Sequence, residues 1–360
     1  MLYEYLFSLH EQFSVFNVFR YITFRTVLAV ITAFFLCLIL GPITIRRMLH
    51  LSVNQQIRDD GPPTHQKKLG TPTMGGLFIL ASIILTIFMW GDLHNKYIWI
   101  MFLSTTGYGL VGFLDDYLKL TKKNSKGLRG WYKLTVQIAI ALAVSVSLYF
   151  DTQDIYNSML SVPFIKDWII DLGVFYIPFS ILVIVGSSNA VNLTDGLDGL
   201  AIGLVAVAIL ANAIIVYVSG HHELSKYLQI MYLPDRGEMA VFCGAIFGAS
   251  LGFLWFNCHP AQIFMGDVGS LSLGGALGTI AVITKHEIVL AIVGGIFVIE
   301  ALSVMLQVVS FKVTGRRVFK MAPIHHHFEM KGWHESKVIV RFWIIGIVLA
   351  LLSLATLKLR

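Results

Sequence analysis

Long apolar segments alternate with short polar connections along nearly the whole chain. Each apolar segment has about 20 residues, the length that an α-helix needs to cross the hydrocarbon core of a bilayer. The pattern predicts ten membrane-spanning helices, at residues 22–45, 72–90, 96–116, 132–150, 172–190, 199–218, 237–256, 263–283, 286–311 and 338–358. We therefore expect an all-α integral membrane protein that forms one polytopic domain over residues 1–360.

The distribution of basic residues predicts the orientation of the chain across the membrane. Two thirds of the 27 Lys and Arg residues fall in the connections after the first, third and ninth spans. Because cytoplasmic connections are rich in these residues, both termini are predicted to be periplasmic. The aromatic-rich segment 1–21 is predicted to lie at the membrane interface. The predicted cytoplasmic loops are residues 46–71, 117–131, 191–198, 257–262 and 312–337.

Composition narrows the class of protein further. Hydrophobic residues make up 56% of the chain and charged residues only 13%, which is rare in a soluble domain. The net charge of +6 follows from the basic cytoplasmic connections. We therefore expect membrane lipid, and no nucleic acid, among the partners.

Five aspartates lie at the ends of apolar segments, although most of these segments carry no carboxylate. They are Asp115, Asp116, Asp195, Asp198 and Asp267. A charged side chain at the membrane edge is costly unless it faces water, a metal or a substrate. All five fall at predicted cytoplasmic connections, so the sequence predicts an enzyme with a single active-site face on the cytoplasmic side.

Asp115 and Asp116 end the third predicted span. Neighbouring carboxylates on a helix point about 100° apart, so they cannot both face lipid cheaply. Two such acids can hold Mg²⁺ through oxygen ligands, or one can hold the metal while the other takes a proton. The alternative is a solvated helix end in which nearby lysines pair with the two acids.

A short polar link without cations joins the fifth and sixth predicted spans. It contains Asn192, Asp195, Gly196 and Asp198. A helix N-terminus here offers free N–H groups to a phosphate or a hydroxyl-rich ligand. The alternative is a tight turn whose polar residues only cap the two helices.

Asp267 opens the eighth predicted span, in a motif that also contains Asn257 and Phe264. A lone acid near the membrane boundary needs a partner. Mg²⁺ is a good candidate, because it accepts one or two carboxylates together with substrate phosphates. The alternative is a hydrogen-bonded helix cap.

Three consecutive histidines, His325, His326 and His327, lie between the last two predicted spans. Three neighbouring side chains cannot all face one point in a regular helix or strand. The carboxylate-rich surroundings favour Mg²⁺ over zinc. We interpret the histidines as hydrogen-bonding groups for a diphosphate, and the alternative is a solvated basic loop.

Two other features carry polar groups near apolar segments. The Pro- and Gly-punctuated loop 61–76 contains Lys68, which can meet an anionic substrate or lipid, but no nucleoside-triphosphate P-loop pattern. Glu300 lies within a predicted span and shares a helix face with Ser303 and Gln307. This polar stripe indicates either a packed helix interface or a substrate groove.

Together the motifs resemble the polyprenyl-phosphate sugar-1-phosphate transferase superfamily. The likeness rests on Gly112–Lys119, Asn189–Gly199, Asn257–Gly269 and Pro323–Glu329. The triple histidine resembles the phospho-N-acetylmuramoyl-pentapeptide transferase branch. The resemblance implies Mg²⁺-dependent transfer from UDP-N-acetylmuramoyl-pentapeptide to undecaprenyl phosphate in the bacterial inner membrane, forming lipid I and UMP. It also implies a homodimer.

The same resemblance guides the roles that we predict for single residues. Asp267, with Asp115 and Asp116, holds Mg²⁺, Asp115 deprotonates or orients the lipid phosphate, and Lys133 offsets phosphate charge. Phe264 is implied to stack on the uracil. The residues predicted to bind the substrates are Lys68, Thr73, Lys119, Asn192, Asp195, Gly196, Asp198, Asn257, Phe264, Gln307, His325, His326 and His327.

Several alternatives remain open at this point. A two-step route with an aspartate nucleophile competes with direct displacement. An N-acetylglucosamine-1-phosphate transferase would share the acids, although the triple histidine argues against it. An ion-coupled transporter would need midplane charges and related halves, but only Glu300 lies near a span centre. A lipid-binding scaffold would not need five acids on one face.

Overall fold

The structure is a computed structural model that describes residues 2–50, 70–122, 127–152, 154–165 and 168–358. The α-helices within these residues, α1 to α14 in chain order, span Leu2–Ser8, Ile22–His50, Gly76–Trp90, Lys96–Thr121, Gly130–Tyr149, Tyr176–Thr194, Leu200–Gly220, His222–Leu228, Met239–Asn257, Gly266–Thr284, Glu287–Val293, Gly295–Thr314, Ile324–Glu329 and Glu335–Ala355. Short 3₁₀ helices lie at Leu9–Glu11, Ser14–Arg20, Gly173–Phe175 and Arg236–Glu238. One antiparallel hairpin pairs β1 (Met159–Ser161) with β2 (Ile169–Asp171).

Nine of the described helices are long and apolar enough to cross a membrane: α2, α4, α5, α6, α7, α9, α10, α12 and α14. The helix α3 is also apolar but has only 15 residues. The prediction of a helical, multi-pass membrane protein is therefore confirmed, while the number of crossing helices and their direction stay predictions. The hairpin was not predicted, because three-residue strands are too short to show an alternating pattern.

The prediction of one continuous span over 286–311 is wrong. The chain forms two helices there, α11 and α12, which are divided at Gly294. Gly294 has φ −91° and ψ 19°, outside the regular helical range. Gly294 and Gly295 together lower the helix propensity at this point. Hydropathy does not register the break because the residues on both sides are apolar.

The helix α10 lies at the centre of the bundle. Every residue from Val268 to Thr284 is buried. The helix contacts α3, α4, α5, α6 and α7, and several glycines along it allow the close approach that helices in lipid favour. Because Asp267 lies in the first turn of α10, the surrounding helices fix the position of this carboxylate.

A close contact between α9 and α2 gives a test of the packing. A Cβ atom at Gly248 would lie 2.1 Å from the carbonyl oxygen of Val30. We expect Gly248→Ala to lower the free energy of unfolding by about 1–3 kcal/mol, because the two backbones must separate. The matched control is Gly186→Ala in α6, where an added Cβ meets no described atom within 4 Å. Thermal unfolding in detergent measures both, and equal melting temperatures would contradict the contact.

Candidate active site

A close approach of α4 and α10 brings three carboxylates together. A Cβ atom at Gly112 would lie 2.2 Å from the carbonyl oxygen of Asp267, so only glycine allows this contact. Asp115 and Asp116 follow one turn later on α4. Single carboxylate oxygens of Asp115, Asp116 and Asp267 lie within 4.8 Å of one another. The structure thus unites the three residues that were predicted to bind metal.

The two neighbouring acids are not at a solvated helix end. The helix α4 continues to Thr121, beyond the predicted end at residue 116, and Asp115 and Asp116 are only 3% and 5% exposed. Oδ1 of Asp115 accepts a hydrogen bond of 2.7 Å from the backbone N–H of Leu128. Oδ2 of Asp116 accepts one of 3.2 Å from the N–H of Val268. These contacts hold Asp116 against α10 and Asp115 against the connection that leads into α5.

Two lysines contact the carboxylate cluster. Nζ of Lys119 lies 2.6 Å from Oδ2 of Asp115 and 3.0 Å from Oδ2 of Asp267. Nζ of Lys133 lies 2.5 Å from the same Asp267 oxygen and 3.7 Å from Asp115. Asn192 donates to the other oxygen of Asp267 at 2.9 Å. With all five groups ionised, three carboxylates and two ammonium groups have a formal net charge of −1, which attracts a further cation.

The donor set decides which chemistry the cluster can perform. Carboxylate oxygens are hard ligands of the kind that Mg²⁺ prefers, and Mg²⁺ is commonly bound by one or two of them plus substrate phosphates. The lysines place positive charge at the same point, where it can meet phosphate oxygens. The cluster therefore suits phosphoryl transfer, which requires positioning and charge neutralisation more than covalent help.

Two predicted loops meet beside the cluster, around Asp198 and Asn257. Oδ2 of Asp198 lies 3.2 Å from Nδ1 of His259 and accepts from the N–H of Ala261 at 3.1 Å. The N–H of Asp198 donates to Oε1 of Glu335 at 3.0 Å. Asn257 joins the loops from the other side, because its Oδ1 accepts from the N–H of Gly199 at 3.0 Å. Asp198 and Asn257 thus hold the two loops together.

Phe264 and Thr73 lie in a short pairing between the start of α3 and the start of α10. The N–H of Phe264 donates to the carbonyl of Pro72, and the N–H of Gly75 donates to the carbonyl of Phe264, both at 2.9 Å. A Cβ atom at Gly266 would lie 3.2 Å from Oγ1 of Thr73 and 2.6 Å from Oδ2 of Asp116. Thr73 is therefore near the carboxylates. The predicted ligand Lys68 lies outside the described residues.

The three histidines lie in the first part of α13, and their side chains point in different directions, as predicted. Nδ1 of His325, which is fully buried, lies 3.1 Å from Oε2 of Glu300. Nδ1 of His326 lies 2.7 Å from Oε2 of Glu329. Nδ1 of His327 accepts from the N–H of Lys320 at 3.0 Å. A Cβ atom at Gly196 would lie 2.3 Å from Nε2 of His325, so this histidine borders the loop before α7.

Two predicted substrate ligands, His327 and Gln307, form hydrogen bonds with the protein backbone. Burial, together with the charges of Lys331 and Lys320, lowers the pKa of His327, which fits its role as a hydrogen-bond acceptor. The side-chain amide of Gln307 contacts the backbone of Val318 and Phe319, where it braces the connection after α12. The structure therefore shows a structural contact for Gln307, and its contact with substrate stays a prediction.

Comparisons with known proteins show the family. Residues 98–285, just over half of the chain, match the model of Glycosyl transferase family 4. Residues 68–80 match the phospho-N-acetylmuramoyl-pentapeptide-transferase signature 1. Proteins named phospho-N-acetylmuramoyl-pentapeptide-transferase from Thermodesulfovibrio yellowstonii, Pelobacter propionicus and Desulfosudis oleivorans are 64%, 57% and 55% identical, each over 100% of both chains. The chain belongs to the phospho-N-acetylmuramoyl-pentapeptide transferase family.

Membership of this transferase family confirms the predicted class of enzyme, a membrane phosphotransferase of peptidoglycan synthesis. It also confirms the resemblance read from the motifs, and the transporter and scaffold alternatives are set aside. The glycosyl transferase match covers the aspartate cluster and both lysines. Glu300 and the three histidines lie beyond it.

Two residues that contact the predicted site residue Asp198 were missed by sequence reasoning. His259 and Glu335 form a group with Asp198 whose ligand atoms lie within 4.8 Å of one another. His259 stands inside a motif that was already singled out, and Glu335 lies in the first turn of α14, where an acid is expected only to favour the helix dipole. The residues around His259 and Glu335 give no indication of a contact with a residue far away along the chain.

Proposed function

We propose that this transferase moves phospho-N-acetylmuramoyl-pentapeptide from UDP-N-acetylmuramoyl-pentapeptide to undecaprenyl phosphate, which forms lipid I and UMP. The observation that carries the proposal is the cluster of Asp115, Asp116 and Asp267 with two lysines, at the ends of helices long enough to cross a membrane. At such a position a lipid phosphate in the bilayer meets a nucleotide from the cytoplasm. The membrane is the bacterial inner membrane, with both termini periplasmic, and the enzyme is a homodimer.

The proposed cofactor is Mg²⁺, held by Asp267 with Asp115 and Asp116. The fit rests on three oxygen donors in reach of one another and on the net negative charge of the cluster. A Mg²⁺ ion held by these residues would supply positive charge for the donor diphosphate and for the leaving UMP.

The protein groups divide the remaining work. Asp115 orients the lipid phosphate or takes its proton, and Asp116 supports it from the same helix turn. Lys119 and Lys133 offset the negative charge of the phosphates. Both ammonium groups lie within 3.0 Å of Asp267 and therefore beside the proposed metal site. The attack is a direct displacement on the donor phosphorus. Accumulation of a phospho-sugar enzyme in the absence of lipid acceptor would favour the two-step route instead.

The donor lies across the loops that meet beside the cluster. Asp195 and Phe264 hold the uridine, the latter by stacking on uracil. The residues that line the nucleotide and sugar-phosphate site are Asn192, Asp198, Asn257, His325 and His326. Further substrate-binding residues are Lys68, Thr73, Gly196, Gln307 and His327.

Donor specificity is the direct test of the function. Purified protein in detergent with undecaprenyl phosphate and Mg²⁺ is expected to release UMP from UDP-N-acetylmuramoyl-pentapeptide, and to release it only when the lipid is present. UDP-N-acetylglucosamine is the matched control donor, which shares the nucleotide and diphosphate. Release from the control donor would make this the sibling N-acetylglucosamine-1-phosphate transferase. No release from either donor by folded protein would refute the proposal.

A further inference from the structure

The buried pair of Glu300 and His325 has a role beyond packing. We propose that Glu300 is a positioning residue that orients His325 for the nucleotide-sugar donor, an inference that rests on the proposed function. Glu300 lies on α12 and His325 on α13, both are 0% exposed, and Oε2 of Glu300 lies 3.1 Å from Nδ1 of His325. The pair therefore joins the helix after the Gly294 break to the triple histidine.

The carboxylate of Glu300 determines how the imidazole ring can bond. A carboxylate oxygen only accepts hydrogen bonds, so Nδ1 of His325 must carry the hydrogen. Nε2 is then an acceptor in the neutral ring and a second donor in the charged ring. In the neutral ring Glu300 prevents the tautomer change that would otherwise reverse the two nitrogens, and in both states it fixes the plane of the ring.

Nε2 of His325 faces the loop assigned to the donor. It lies where a Cβ atom at residue 196 would be only 2.3 Å away, so Gly196 leaves space for the ring edge. Within the described part of the chain, Nε2 of His325 and Oε1 of Glu300 have no hydrogen-bond partner. Buried polar atoms in folded proteins are nearly always bonded, so Nε2, which faces this loop, is available to bond a ligand group there.

The ligand class follows from the charges. Glu300 offsets the charge of an imidazolium ring, whose Nε2–H then donates to an anionic oxygen, and charge-assisted bonds of this type are strong. The diphosphate of the donor supplies such an oxygen. Since His325 is fully buried, the proposal requires the loop at Gly196 to move aside when the donor binds, and the backbone freedom of glycine permits such a change.

The first experiment separates donor from acceptor. Glu300→Gln keeps the shape of the side chain and removes its charge. We expect kcat/KM for the donor to fall about 10–100-fold, the loss that is typical when the carboxylate partner of a metal-binding histidine is removed. KM for undecaprenyl phosphate is expected to stay unchanged. Ser303→Ala is the matched control, because Ser303 is 2% exposed on the same helix and its hydroxyl donates to the backbone carbonyl of Glu300. Equal losses for both substrates, or in the control, would overturn the proposal.

A double substitution tests whether Glu300 acts through His325. In the His325→Ala background, Glu300→Gln is expected to cause no further loss of donor kcat/KM, whereas multiplied losses would show independent roles. Should Glu300→Gln fail to fold, His325→Gln, whose amide reaches the Nε2 position, is expected to keep more donor affinity than His325→Asn. The reverse order would contradict the assignment of Nε2.

Calorimetric binding of UDP-N-acetylmuramoyl-pentapeptide keeps this test independent of turnover. If wild-type protein bound the donor but released no UMP, the proposed reaction would fail while the pair could still be examined. Weaker donor binding by Glu300→Gln than by wild type supports the pair. Equal binding by the two proteins would overturn it, whatever the rate of the reaction.

Discussion

Asp267→Asn is expected to reduce lipid-dependent UMP release by at least about 10³-fold, because the substitution removes the charge on which the proposed metal site depends. Asp267 lies in the first turn of α10 and contacts Lys119, Lys133 and Asn192. Asparagine keeps the size of the side chain. The charge of the cluster changes from −1 to zero, so carboxylate repulsion decreases and the protein is expected to remain folded.

The measurement compares Asp267→Asn with Asp171→Asn, which makes the same change of charge in the exposed β2 strand. The control is expected to keep wild-type activity. Thermal unfolding with and without Mg²⁺ gives a second readout, since a ligand that binds the folded state raises the melting temperature. We expect this rise in wild type and in Asp171→Asn but not in Asp267→Asn. An Asp267→Asn enzyme with a near-normal rate would exclude the metal role.

Most helices of this transferase could be predicted because a helix in lipid needs only a long apolar run. The predicted and observed helices differ where an interaction other than burial in lipid determines where a helix ends. The helix α4 extends five residues beyond the predicted end, because Asp115, Asp116 and Lys119 find partners inside the protein and the helix need not stop at the first charge. The break at Gly294 depends on backbone propensity, which an apolar pattern does not reveal.

The aspartates of the site could be predicted because carboxylates are out of place beside apolar segments. The residues that these aspartates contact could not be predicted in the same way. Lys133 is 134 residues from Asp267, and Glu335 is 137 residues from Asp198, so only the packing of helices brings them together. The contact at Gly112 shows how such packing arises, since the absence of one side chain lets α4 touch α10.

Lys133→Met is expected to lower the rate of transfer by about 10²-fold, because a group that meets developing phosphate charge is lost. It is also expected to tighten Mg²⁺ binding. The ammonium group lies 2.5 Å from Oδ2 of Asp267, where it competes with a metal ion for the same oxygen. Without it, the cluster carries two net negative charges and attracts a divalent cation more strongly.

Opposite changes in rate and in metal affinity distinguish this role of Lys133 from simple damage to the fold. The Mg²⁺ concentration that half-saturates the rise in melting temperature is expected to decrease in Lys133→Met, while the maximal rate falls. Lys133→Arg keeps the charge and is expected to lie between Lys133→Met and wild type. Lys122→Met is the control, since this exposed lysine follows α4 outside the cluster. If Lys133→Met kept its rate, or bound Mg²⁺ more weakly, Lys133 would serve to hold Asp267 in place and would not meet the phosphate.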